Sequence, residues 1–183
     1  MAKLKLGIIV GSNRNESINR KLALALAKLG ADTFDETVIQ IDDLPMYNQD
    51  HENPVPPAVA RFKAAVEASD ALLFVTPEHN RSIPAVLKNA IDWGTRPWGK
   101  SSWPDKPAAT IGASGGNVST AVAQQHLRWV LASLPALHVM GGEAYINFKP
   151  DLIDAENTVT DESVRAFLKA FIGNFAAFAG RFA

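Results

Sequence analysis

The polar chemistry of the chain gathers in three short stretches. The first is Gly11-Ser12-Asn13-Arg14-Asn15-Glu16-Ser17-Ile18-Asn19. Within nine residues it supplies two hydroxyls, three amides, a guanidinium and a natural helix start at Ser17. A phosphate monoester needs convergent donors and partial positive charge, and a polar loop running into a helix N-terminus provides both. Neither the dinucleotide fingerprint G-x-G-x-x-G nor the P-loop pattern G-x-x-x-x-G-K-[ST] is present. A plainer role is open to the same residues: a polar turn whose Ser17 caps the helix that follows.

The second stretch is Thr76-Pro77-Glu78-His79-Asn80-Arg81-Ser82-Ile83-Pro84. Pro77 and Pro84 restrict the backbone at each end and leave free N–H and C=O groups between them. A rigid loop of this kind can pair with the edge of a heterocycle without using mobile side chains. Asn80 and Ser82 would equally serve an ordinary turn. The third stretch, Gly112-Ala113-Ser114-Gly115-Gly116-Asn117, has paired glycines that let a backbone approach a planar ligand closely. It also matches G-x-S-x-G, the nucleophile elbow of α/β-hydrolases. That chemistry needs serine, then acid, then histidine along the chain. The acids Asp151 and Asp154 follow both His126 and His138, and no histidine comes after them. The order fails, and a hydrolase is set aside.

The elements that position these loops follow from hydrophobic patterning. Leu4–Val10 reads as a buried strand, Ser17 to about Lys28 as a helix, and Thr37–Ile41 as a second strand. Asp42–Pro57 is loop, rich in Asp, Pro and Asn, and Pro57–Ala68 is helical. Ala71–Thr76 is a continuous apolar strand, and Pro84–Trp93 a helix with proline in its first turn. Ala108–Ala113, Val118–Leu134, Leu137–Met140 and Glu162–Phe182 read as strand, helix, strand and closing helix. Such alternation predicts an α/β three-layer sandwich of a single domain over residues 1–183, built on a five-stranded parallel sheet. Right-handed crossovers favour the flavodoxin-like order 2-1-3-4-5. In that order ligands bind beyond the carboxyl ends of the strands, where all three polar stretches fall.

Composition narrows the function. Lys plus Arg is 18 and Asp plus Glu 19 in 183 residues, a net charge of −1. That balance gives no basic stripe for nucleic acid or an anionic membrane. It is equally unlike the acidic surface of a carrier that docks on basic partners. Without cysteine there are no disulfides, thiolate nucleophiles or cysteine-held metals, and the four histidines have no ligand spacing. No apolar run reaches the ~20 residues of a membrane span. No signal peptide is visible, so a cytoplasmic protein is expected.

Three blocks taken together carry a likeness to a known family. G-S-N-R-x-x-S-x-N at 11–19, T-P-E-H-N-R-S-I-P at 76–84 with L-K-N-A-I-D-W at 87–93, and S-G-G at 114–116 resemble the NADPH-dependent FMN reductases. That family includes quinone, azo and chromate reductases. The resemblance implies a flavodoxin-like fold holding FMN non-covalently, usually in a homodimer or homotetramer with the flavin near a subunit interface. By position, Ser12, Arg14, Ser17 and Asn19, with Ile18 between them, would hold the phosphate. Pro77, Glu78, His79 and Asn80 would border the isoalloxazine, flanked by Arg81 and Ser82, with Ser114 and Gly115 on the third side. The family more often has Tyr at positions 79 and 81, so His79 and Arg81 make the pocket more polar.

The resemblance further implies that NADPH or NADH gives hydride to the flavin and a small acceptor then takes it, at one site, with no protein nucleophile or metal. A flavodoxin-type electron carrier is the alternative. Arg81 could meet a phosphate of the donor or an anionic acceptor, or be a solvated loop arginine. Glu78 could act through its backbone alone, its side chain serving a cap. Trp93, Trp98 and Trp103 suit core packing or a pocket roof. Phe167, Phe171, Phe175, Phe178 and Phe182 form one helical stripe, expected to pack the closing helix on the sheet.

Overall fold

The first and third strands, β1 (Leu4–Val10) and β3 (Ala71–Val75), are apolar on both sides because both faces of the sheet are covered. Leu6, Ile8, Val10, Leu73 and Val75 point into one core, whereas Ile9, Leu72 and Phe74 point into the other. The computed structural model describes residues 2–182. Helices α1 (Ile18–Gly30) and α5 (Glu162–Ala179) cover the first face. The second is covered by α2 (Pro57–Glu67), α3 (Ala85–Gly94) and α4 (Ala121–Ala132). The other strands are β2 (Phe34–Ile39), β4 (Pro107–Ser114), β5 (His138–Val139) and β6 (Tyr145–Asn147). The sheet is parallel in the order β2-β1-β3-β4-β5, as the alternation predicts.

Several boundaries differ from expectation, each for a physical reason. β2 starts three residues earlier, because Phe34 pairs with Leu4 and buries its ring on Phe175. Its Asp35 and Glu36 are exposed, as an edge strand allows. The fifth sheet position is shared by two short strands. β5 pairs with the start of β4 and β6 with its end, Gly112–Ser114. The chain leaves the sheet at Gly141-Gly142 between them. α4 begins at Ala121 rather than Val118, because Ser119 is left-handed (φ 50°) and donates its hydroxyl to Ile146.

The aromatic residues divide between core and surface. Trp93 and Trp103 are buried, whereas Trp98 is exposed. In the phenylalanine stripe, Phe171 and Phe175 are buried under α5, but Phe167 at its start and Phe182 beyond its end are exposed. The stripe is core at its centre only. No helix among the described residues is long and apolar enough to cross a membrane.

Candidate functional site

Since β1, β3 and β4 are neighbours, the loops leaving their carboxyl ends emerge side by side at the switch point between β1 and β3. Direct bonds tie them together. The Asn19 amide donates to the Ala113 carbonyl and accepts from the Ala113 N–H, both at 2.9 Å and both buried. It thereby fastens the first loop to β4. Gly11 N–H donates to Val75 C=O, which joins the first loop to the second strand-end. A Cβ on Gly112 would lie 2.1 Å from the Thr76 carbonyl oxygen, so only glycine lets the second and third loops pack here.

The Glu78 carboxylate adds a clamp between loop and helix. Its Oε2 accepts from the Ala123 N–H at 3.0 Å, in the first turn of α4, and its Oε1 pairs with Arg81 at 3.0 Å. The side chain is only 9% exposed. Its role as a remote helix cap is thus realised, and the carboxylate is committed to the protein. The Arg81 side chain is 67% exposed and reaches back to Glu78.

Between these anchors the second loop is a tight turn. His79 and Ser82 exchange both backbone hydrogen bonds at 2.9 Å, while Asn80 and Arg81 have φ of 51° and 63°. Two central residues with positive φ are the mark of a type I′ turn, which presents its central peptides outward. Ser82 Oγ lies 2.8 Å from His126 Nδ1 on α4. No motif spacing links that histidine, 44 residues away, to the turn.

Three serines share one arrangement. Ser17 Oγ accepts the Arg20 N–H and caps α1, Ser12 Oγ accepts the Arg14 N–H, and Ser114 Oγ accepts the Gly116 N–H. Each oxygen is fixed while its own O–H remains free to donate. The capping role of Ser17 and a phosphate-binding role are therefore compatible. Ile18 and Asn19, the first two residues of α1, offer N–H groups that have no intrahelical acceptor. On the far side, a Cβ on Gly115 would meet nothing nearer than the Phe148 carbonyl oxygen at 3.8 Å, so that backbone face is open. A helix start with free amides, serine donors, an outward turn and an open glycine face fit an FMN phosphate and the edge of its ring.

Beside the first loop lies a feature that the sequence does not reveal. A cavity of about 500 Å³ opens between Ser12–Asn15 and the end of β2, lined also by Arg20, Gln40 and Asp42. Nothing in the residues after β2 marks them as ligand-binding, since they read as the start of a polar loop.

Comparison with known proteins decides what these loops belong to. The model of the family described as NADPH-dependent FMN reductase matches residues 4–151, most of the chain and all three loops. The chain belongs to this family. Its curated relatives include a 2-hydroxy-1,4-benzoquinone reductase of a Burkholderia species, 44% identical over 174 residues and covering 95% of each chain. An NAD(P)H-dependent FMN reductase of Pseudomonas aeruginosa is 38% identical over 162 residues, covering 88% of this chain and 87% of the relative. Among solved structures, the flavoenzyme NAD(P)H:(acceptor) oxidoreductase FerB of Paracoccus denitrificans superposes with a TM-score of 0.91 at 40% identity, over 98% of each chain. This member of the family is accordingly an FMN-dependent oxidoreductase with NAD(P)H as electron donor, and the enzyme reading displaces the carrier alternative.

Proposed function

We propose that this reductase passes electrons from NAD(P)H to quinone-type acceptors at a pocket formed by residues 12–19, 77–82 and 114–115. The observation that carries the proposal is the fastening of three strand-end loops into one rigid rim, by Asn19 on Ala113 and Glu78 on Ala123. The names of the relatives support the acceptor class. FMN bound there would supply the two-electron redox chemistry that links the nicotinamide donor to the acceptor.

The residues of this chain have positioning roles. Ser12, Arg14, Ser17 and the amides of Ile18 and Asn19 bind the phosphate, the Asn19 side chain acting indirectly by holding the loop on β4. The backbone from Pro77 to Asn80 pairs with one edge of the ring system, held in place by the Glu78 clamp and the Ser82–His126 contact. Ser114 and Gly115 close the opposite side. His79 and Arg81 lend the mouth polarity, which favours acceptors with oxygen substituents over bare hydrocarbons.

The whole chain works as one domain, and we place it in the cytoplasm, where NAD(P)H is supplied. The exposed Val118, in the turn before α4, and the exposed Val122 and Trp129 on α4 itself support a homodimer or homotetramer. The test is steady-state kinetics on FMN-loaded protein with substituted benzoquinones and each nicotinamide donor. Rapid quinone-dependent oxidation of NAD(P)H is expected, with FMN bound near one per chain. Protein purified with FMN that reduces azo dyes or metal oxyanions but no quinone would contradict the acceptor assignment.

A further inference from the structure

The cavity beside β2 shares Ser12 and Arg14 with the proposed flavin-phosphate turn and adds Arg20, Gln40 and Asp42, which the flavin pocket does not use. Arg14 and Arg20 both line it, and neither guanidinium lies within ion-pair distance of a carboxylate among the described residues. Val38 and Ile41 supply an apolar floor, while Gln40 and Asp42 stand at the rim. Its volume, about 500 Å³, lies within the usual range for small-molecule sites. It adjoins the first loop, so a ligand there lies next to the phosphate-binding turn.

Two unpaired guanidiniums facing one hollow suit a doubly charged phosphomonoester better than a singly charged diester. The apolar floor suits the face of a base. The Asp42 carboxylate accepts hydrogen bonds only, which suits a ribose hydroxyl. We propose that this cavity binds the adenosine 2′-phosphate end of NADPH, with Arg20 as the principal phosphate contact and Arg14 on the wall shared with the flavin phosphate. The proposal rests on the NAD(P)H-dependent reading above and extends it to a donor subsite and a preference for NADPH. Arg20 lies on the exposed face of α1, and its capping bond to Ser17 uses the backbone, so its side chain is free for this task.

The test is Arg20→Ala in the FMN-loaded enzyme, with KM measured separately for NADPH and NADH. Alanine is a strong helix former, so α1 is retained. Loss of one charged hydrogen-bonding group predicts a rise of about tenfold or more in KM for NADPH. KM for NADH, kcat and FMN content should stay close to wild type, and Arg20→Lys should recover part of the loss. Adenosine 2′,5′-bisphosphate should compete with NADPH on the wild type, about tenfold more weakly on the variant, and 5′-AMP should compete poorly on both. An unchanged KM for NADPH would overturn the assignment, as would an equal rise for both donors or loss of FMN. A wild-type enzyme that oxidises neither nucleotide would instead overturn the functional reading beneath it.

Discussion

Removing the Glu78 carboxylate should weaken FMN binding by loosening the 76–84 turn, and the size of the effect follows from its contacts. Oε2 accepts the Ala123 N–H at 3.0 Å, in the first turn of α4, where the free amides carry partial positive charge. At 9% exposure the side chain is poorly screened. A hydrogen bond to a charged group in such a setting contributes about 1.5–3 kcal/mol. The Arg81 pair adds little, because that guanidinium is 67% exposed. Glu78→Ala thus removes about 2 kcal/mol, which is roughly thirtyfold in Kd when all of it falls on the order of the turn.

The assay is a fluorescence titration of apoprotein with FMN, run beside thermal unfolding of the same apoprotein. Glu78→Ala should bind FMN about ten- to thirtyfold more weakly. Glu78→Gln keeps an acceptor without the charge and should lose about fivefold or less. Arg81→Ala should stay within about twofold of wild type. The reasoning fails if Glu78→Ala binds FMN as tightly as wild type. It fails equally if Arg81→Ala matches the loss in Glu78→Ala, because the exposed pair and not the helix clamp would then hold the turn.

Other perturbations probe the frame around the pocket. Asn19→Ala strands the buried N–H and C=O of Ala113 and should cost about 2–4 kcal/mol in urea unfolding, whereas a loss under about 1 kcal/mol would contradict the pairing. Gly112→Ala drives a methyl to 2.1 Å from the Thr76 carbonyl oxygen, so apoprotein yield or Tm should fall sharply. Asp161 caps α5, and its bonds from Ser163 and the Val164 N–H hold its carboxyl below the usual range. A lowered folded-state value adds stability above the unfolded value, lost as pH falls through the folded one. Tm measured below about pH 4 should therefore decline less steeply in Asp161→Asn than in wild type.

The strand order and the three loops were legible because they rest on local signals. ALLFVT announces a strand buried on both faces, Pro77 and Pro84 bracket a turn, and Ser17 marks a helix start. What escaped depends on partners distant in sequence. The amide of Asn19 reads as a phosphate donor until its bonds to Ala113, 94 positions away, are seen. Glu78 finds its amide 45 positions on, and no spacing rule links the two. β6 is three residues long, too short for any period, and exists because β4 offers a free edge past β5. Phe167 and Phe182 share the spacing of the buried residues, but both are exposed, and Phe182 lies past the end of α5 against the rings of Phe178 and His138. The cavity beside β2 arises from the space between a strand end and a loop, which no residue pattern encodes.

Hydrogen–deuterium exchange of the apoprotein with and without FMN tests most directly whether the three loops serve one flavin. Slowed exchange is predicted together across 12–19, 77–82 and 113–116, with the outer turns of α2 and α5 unchanged. Protection confined to one of these segments, or centred on the far edge of the sheet, would contradict the account.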